Sequence, residues 1–175
     1  MRIIAGSLRG RRLQGPGAGD LDIRPTSDRA REALFSILQK WPMGPFLDLF
    51  GGTGAVAMEA CSRGYEPVIC IEKSSEALKL ILANARGTRV QVLRQDVRML
   101  QPTDLPQQAV IFVDPPYEVS AVLWSELAPR LGTCLLPAGI LVWETDHRTQ
   151  LSPLPGLFLE ASRPYGAACF HFFRR

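Results

Sequence analysis

The chain has 175 residues, of which 46% are hydrophobic and 21% charged, as expected for one soluble globular domain with a buried core. No apolar run approaches the roughly 20 residues of a membrane span, so no membrane partner is expected. The four cysteines lack C-x-x-C spacing and only two histidines accompany them, which argues against a metal site and favours reduced thiols in a cytoplasmic protein.

The net charge of +3 is concentrated at the N-terminus. Residues 1–40 hold eight basic and four acidic side chains, a local charge of +4. Arg2–Ala5 and Arg11–Leu13 flank a segment bounded by Gly6 and Gly10, which predicts a small basic hairpin, and a loop follows. We therefore expect residues 1–25 to form an extension that binds a polyanion, although a solvated surface loop would have the same composition.

The first helix is predicted to begin at Asp28, after the start signal Pro25-Thr26-Ser27. Apolar residues between Ala30 and Trp41 recur at helical spacing, and prolines and glycine end the pattern before residue 46.

From residue 46 onward, predicted strands and helices alternate. The strands cover residues 46–50, 67–72, 90–95, 109–114 and 138–144, and the helices cover 54–63, 74–86 and 119–131. Apolar strands separated by helices indicate a parallel sheet covered on both faces. Segments 157–160 and 168–173 predict a closing antiparallel hairpin. The fold class is therefore α/β and Rossmann-like, with residues 26–175 as its domain.

A glycine turn, Gly51-Gly52-Thr53-Gly54, separates the first strand from the second helix. With Ala57 it satisfies the dinucleotide fingerprint G-x-G-x-x-G/A, although small residues also serve close helix–strand packing. Asp48 lies in the apolar strand before this turn and would repel the phosphates of NAD. A cofactor with a cationic amine and no phosphate would be favoured instead, and S-adenosylmethionine is such a cofactor.

Four acids lie in or just beyond the carboxyl half of four consecutive strands, at the edge where open parallel sheets bind ligands: Asp48, Glu72, Asp96 and Asp114. Glu72 has the spacing of an acid that binds a ribose diol. Asp96 could accept a hydrogen bond from adenine, and Asp48 could hold the amino-acid end. Asp96 taken alone could equally be a helix cap.

The segment Asp114-Pro115-Pro116-Tyr117 indicates the chemistry. Two prolines fix the backbone, so Asp114 and the Pro115 carbonyl could both accept hydrogen bonds from one exocyclic amine and stabilise the charge that develops on it. Tyr117 offers a ring on which a base can stack. A simple Pro-Pro turn is the structural alternative.

These motifs resemble motifs I and IV of class I S-adenosylmethionine-dependent amino-methyltransferases. The segments Arg2-Ile-Ile-Ala-Gly6, Arg24-Pro-Thr26, Arg31-Glu-x-Leu-Phe35 and Tyr165-Gly166 extend the resemblance over nearly the whole chain to the RsmD family. Members of that family are bacterial enzymes that methylate the exocyclic N2 amine of a guanine in 16S ribosomal RNA.

The resemblance implies a seven-stranded sheet of order 3-2-1-4-5-7-6 and a small-subunit assembly intermediate as partner of a monomeric enzyme without metal. The catalytic residues are then Asp114, Pro115 and Tyr117. The predicted cofactor-binding residues are Asp48, Gly51, Gly52, Thr53, Gly54, Glu72, Asp96 and Val97. Those expected to contact RNA are Arg9, Arg11, Arg12, Arg24, Thr26 and Arg31.

Two other functions remain compatible with the residues. An adenine-N6 methyltransferase acting on DNA or RNA would share the Asp-Pro-Pro-Tyr chemistry, but only about 40 residues lie outside the domain to read a sequence. A non-catalytic nucleotide-binding or NAD-dependent protein is the second, and Asp48 and the Asp114 segment argue against it.

Overall fold

A computed structural model describes residues 1–17 and 26–175 of the chain. Its helices are α1 (Asp28–Leu38), α2 (Ala55–Arg63), α3 (Ser75–Ala85) and α4 (Tyr117–Thr133). Its strands are β1 (Phe46–Leu49), β2 (Val68–Glu72), β3 (Val90–Arg94), β4 (Gln108–Val113), β5 (Leu135–Asp146), β6 (Phe158–Tyr165) and β7 (Ala168–Arg174). Two short 3₁₀ helices, Val97–Met99 and Pro102–Asp104, connect β3 to β4.

The strands form one seven-stranded sheet of order β3-β2-β1-β4-β5-β7-β6, which confirms the predicted order and fold class. The first five strands pair in parallel, and β7 pairs antiparallel to both β5 and β6. One hydrophobic cluster joins α1, α2 and the N-terminal segment to one sheet face, and a second joins α4 to the other. Among the described helices, none combines the length and apolarity that crossing a membrane requires.

Two strands are longer than predicted. β5 begins at Leu135 and passes through Pro137, with a register shift opposite β4 between Gln108 and Val110. Gly139 permits this close approach, because a Cβ there would lie 2.8 Å from the Gln108 carbonyl oxygen. β6 continues through Pro164, which an edge strand tolerates because its outer side needs no donor.

The N-terminal hairpin, residues 1–14, is closed by an antiparallel bridge between Arg2 and Arg12. Its inner side chains, Ile3 and Leu13, are buried in the same cluster as α1 and α2. The fully buried carboxylate of Glu59 in α2 accepts the N–H groups of Ile4 at 2.8 Å and Ala5 at 3.0 Å. Ser62 adds bonds to Ala5 and Leu8. The side chains of Glu59 and Ser62 therefore fix the backbone of the hairpin to α2.

Replacing Glu59 with alanine should destabilise the protein by on the order of 3 kcal/mol, because two hairpin N–H groups and Arg63 lose a buried acceptor. Urea unfolding measures this change. Glu66→Ala is the matched control, since it removes a carboxylate from an exposed pair with Arg89 and should cost less than about 1 kcal/mol. Equal losses in the two variants would contradict the anchoring role of Glu59.

Candidate active site

The glycine turn has an unusual backbone. Phe50, Gly52 and Gly54 all have positive φ, at 64°, 54° and 75°. Phe50 is the only non-glycine residue with positive φ within the described ranges, and residues held in this region often mark functional sites. Gly51 is required for another reason, because a Cβ there would lie 2.4 Å from the Cys70 sulfur in β2.

Asp48 connects β1 to the start of α2. Its side chain is 2% exposed, and its Oδ2 accepts the N–H of Ala57 at 3.0 Å. Ala57 is the third residue of α2, and the helix N-cap is Gly54, which has no side chain to fill that role. Asp48 therefore caps α2 from the neighbouring strand and holds the glycine turn between them.

The environment of Asp48 disfavours its charge. Burial raises the pKa of Asp48 well above its ordinary value, and the carboxylates of Asp114 and Glu72 raise it further, while the Ala57 N–H opposes the shift. The strand register places the three acids near the carboxyl ends of three adjacent strands, since β1 pairs in parallel with both β2 and β4. A cation entering here would stabilise the charged form of Asp48.

Glu72 clamps the glycine turn to the loop that begins α3. Its Oε2 accepts the Gly52 N–H at 3.0 Å, and its Oε1 accepts the N–H groups of Lys73 and Ser74, each at 2.8 Å. A carboxylate offers about four lone-pair sites, so these three bonds leave capacity for a further donor.

Asp96 lies one strand further out. It caps the 3₁₀ helix after β3 by accepting the Arg98 N–H at 3.0 Å, and it pairs with Lys73 at 3.7 Å. The helix-cap alternative considered for Asp96 therefore describes its local role. Val97, the next residue, is 5% exposed and packs into the cluster beneath α4.

The Asp114 segment begins beside the glycine turn. The Asp114 N–H donates to the Leu49 carbonyl at 3.4 Å, which continues the β1–β4 ladder by one residue. Pro115 is buried, Pro116 is the N-cap of α4 and Tyr117 is its first residue. The Tyr117 hydroxyl donates to Glu144 Oε1 at 3.3 Å. Sequence reasoning missed Glu144, although an acid at the end of the fifth predicted strand was the signal that could have identified it.

The predicted RNA-contacting residues that the structure describes differ in exposure and in partners. Arg9 and Arg12 are exposed, whereas Arg11 donates to the Asn84 and Arg86 carbonyls at the end of α3, at 3.0 and 2.6 Å. Arg31 is fully buried and donates to the carbonyls of Thr26 and Arg2. Arg24 lies outside the described residues.

The Arg12 end of the hairpin lies next to the glycine turn, whereas the Arg9 end lies next to the last turn of α2. The sulfur of Met1 lies 3.8 Å from the Thr53 hydroxyl, and Leu13 pairs with Met1, so the Arg12 end adjoins the turn. Leu8, next to Arg9, is bonded instead to Ser62 in the last turn of α2. Asn84 also joins the two parts, since its Nδ2 donates to the carbonyls of Gln14 and Thr53.

A separate cleft of about 300 Å³ lies at the opposite edge of the sheet, lined in part by Ser7, Tyr65 and Arg89. It adjoins the starts of β2 and β3, whereas ligands of open α/β sheets bind beyond the carboxyl ends of strands. We therefore assign the candidate site to the acids and the glycine turn.

Within residues 1–17 and 26–175, no three His, Cys, Asp or Glu side chains form a candidate metal cluster.

Replacing Asp48 with asparagine should raise stability near pH 7. The raised pKa means that the folded protein binds a proton more tightly than the unfolded chain, so wild-type stability falls as pH rises above the ordinary value of 3.8. Asparagine keeps an acceptor for Ala57 and has no charge to desolvate. Melting temperatures measured from pH 4 to 8 should fall less with pH in the variant. A parallel decline in both proteins would contradict the assigned cause.

The profile of the family described as conserved hypothetical protein 95 matches residues 1–174. The YlbH protein of Bacillus subtilis, named provisionally as an rRNA methyltransferase, is 33% identical over 95% of this chain and 94% of its own length. Ribosomal RNA small subunit methyltransferase D of Haemophilus influenzae is 33% identical over 67% of this chain and 64% of its own.

The solved structure of an Escherichia coli protein, yhhF, described provisionally as a methyltransferase, superposes with a TM-score of 0.81 at 26% identity, covering 100% of this chain and 97% of that one. The resemblance inferred from the glycine turn and the Asp-Pro-Pro-Tyr segment is thereby confirmed: the chain belongs to the conserved hypothetical protein 95 family, the RsmD family of methyltransferases.

Proposed function

We propose that this protein transfers a methyl group from S-adenosylmethionine to the N2 amine of a guanine in 16S ribosomal RNA, within an assembling small subunit. The observation that carries the proposal is the arrangement of Asp48, Glu72 and Asp114 around the glycine turn, with Tyr117 at the same edge. The names of the relatives support ribosomal RNA as the substrate class.

The residues fit the cofactor chemically. Asp48 is a buried acid whose charge is disfavoured until a cation approaches, and the amino group of S-adenosylmethionine is such a cation. Glu72 retains acceptor capacity for ribose hydroxyls beside the Gly52 N–H. Asp96 would face the adenine. When bound, the cofactor supplies an electrophilic methyl group on a sulfonium.

The target amine would be held by Asp114 and the Pro115 carbonyl. Two acceptors favour a pyramidal nitrogen, whose lone pair is then directed at the methyl carbon, and they stabilise the positive charge that develops there. The methyl group would pass from the sulfonium to this nitrogen in one displacement that leaves a neutral thioether, and the proton lost from the amine would pass to Asp114 or to solvent. Tyr117 would stack on the guanine and keep it in line.

The activity is tested with labelled S-adenosylmethionine and three substrates: naked 16S rRNA, assembling small subunits and duplex DNA. We expect incorporation into the ribosomal substrates, at guanine N2 by mass mapping. Incorporation at adenine N6 or into DNA would favour the alternative methyltransferase, and tight binding of NAD would favour the non-catalytic alternative.

Asp114→Ala should lower the single-turnover rate by ~10²–10³, because one preorganised electrostatic partner of the amine is lost. Cofactor affinity measured by calorimetry should be largely retained. Glu160→Ala is the control, since it removes a carboxylate from a surface pair with Arg174. A loss below about threefold in Asp114→Ala would mean that this carboxylate is structural only.

The exposed arginines of the hairpin would contact RNA phosphates, whereas Arg11 and Arg31 would position the hairpin and α1 through their carbonyl bonds. Neutralising Arg9 and Arg12 together should weaken RNA binding and flatten the slope of log K against log salt by about 1.4–1.8 units. Replacing Arg174 and Arg175, two exposed arginines at the C-terminus, is the matched control. An unchanged slope in the Arg9 and Arg12 variant would exclude these contacts.

A further inference from the structure

Glu144 is a buried carboxylate at the carboxyl end of β5, with 5% of its side chain exposed. The β4–β5 register pairs Val113 with Trp143, so Asp114 and Glu144 are the next residues along two adjacent strands. Neighbouring strands lie about 4.8 Å apart, which places the Glu144 backbone next to that of the proposed catalytic acid.

Two side-chain bonds join the first turn of α4 to consecutive residues of β5. Trp143 Nε1 donates to the Ser120 hydroxyl at 2.9 Å, and this bond is buried. The Tyr117 hydroxyl donates to Glu144 Oε1 at 3.3 Å, and this bond is only partly buried. The first bond fixes the helix against the strand, and the second reaches the far end of the Tyr117 ring.

Fixing both ends of Tyr117 restricts the direction of the long axis of its ring. The backbone of Tyr117 is set by Pro115, Pro116 and the start of α4, and its hydroxyl is set by Glu144. A ring that stacks on a base contributes roughly 1–3 kcal/mol, and its orientation decides where the base lies. Burying a carboxylate is costly without polar partners, and the Tyr117 hydroxyl is one polar partner of Glu144.

We propose that Glu144 is a positioning residue for methyl transfer: it holds the Tyr117 hydroxyl, so that the ring presents the target base to Asp114. This inference rests on the proposed function. It predicts that Glu144 acts on the reaction only through the Tyr117 hydroxyl.

A double-mutant cycle tests the coupling. Glu144→Leu and Tyr117→Phe should each lower the single-turnover rate at saturating RNA by about tenfold, and the double variant should lose about the same factor as either alone, because contacting residues are not additive. Cofactor affinity by calorimetry should stay unchanged in all three. Ser120→Ala is the matched control: it breaks the other α4–β5 bond and should lower the melting temperature with little effect on the rate.

Glu144→Gln supplies a second measurement, independent of whether the leucine variant folds. Glutamine keeps an acceptor for the hydroxyl, so its rate should stay within about threefold of the wild type. A large loss in Glu144→Gln, or losses that multiply in the double variant, would overturn the inference while leaving the proposed function intact. A wild-type protein that methylates no nucleic acid would instead refute the proposed function, and this inference with it.

Discussion

The hydrogen bond from the Ala57 N–H to the buried Asp48 carboxylate fixes the geometry on which the site depends. It joins the middle of the sheet to the first turn of α2, and the glycine turn is the short connection between them. Burying a carboxylate lowers the stability of the folded protein, and in return this arrangement creates a site that favours a bound cation. The positive φ values at Phe50, Gly52 and Gly54 follow from making the connection so tight.

Three other carboxylates also accept hydrogen bonds from backbone N–H groups. Glu72 caps the glycine turn and the α3 loop, Asp96 caps a 3₁₀ helix, and Glu59 caps the backbone of the hairpin. In each case a carboxylate satisfies N–H groups of a turn, a loop or a helix start that lack a backbone partner there. The structural role of these acids and their proposed ligand roles are compatible, because each carboxylate has more lone pairs than backbone partners.

The family resemblance was sufficient to predict the sheet order, and the edge that carries the acids could be predicted because each acid lies in or just beyond the carboxyl half of a strand. It could not reveal that Arg31 is buried or that Arg11 binds the end of α3, since composition does not distinguish a solvated arginine from one that donates to carbonyls. Glu144 was missed for a related reason: its partner Tyr117 lies 27 residues away, and only the β4–β5 register brings them together.

The hairpin and the glycine turn are joined by side-chain contacts. Asn84 binds the backbone of both Gln14 and Thr53, and Met1 contacts the Thr53 side chain. A polyanion bound at the Arg12 end of the hairpin would therefore affect residues that also contact the glycine turn. By linkage, a ligand that stabilises the turn would also stabilise the contacts that hold the hairpin. If RNA and the cofactor bind as proposed, these contacts of Asn84 and Met1 would therefore give each ligand a physical route to influence the binding of the other.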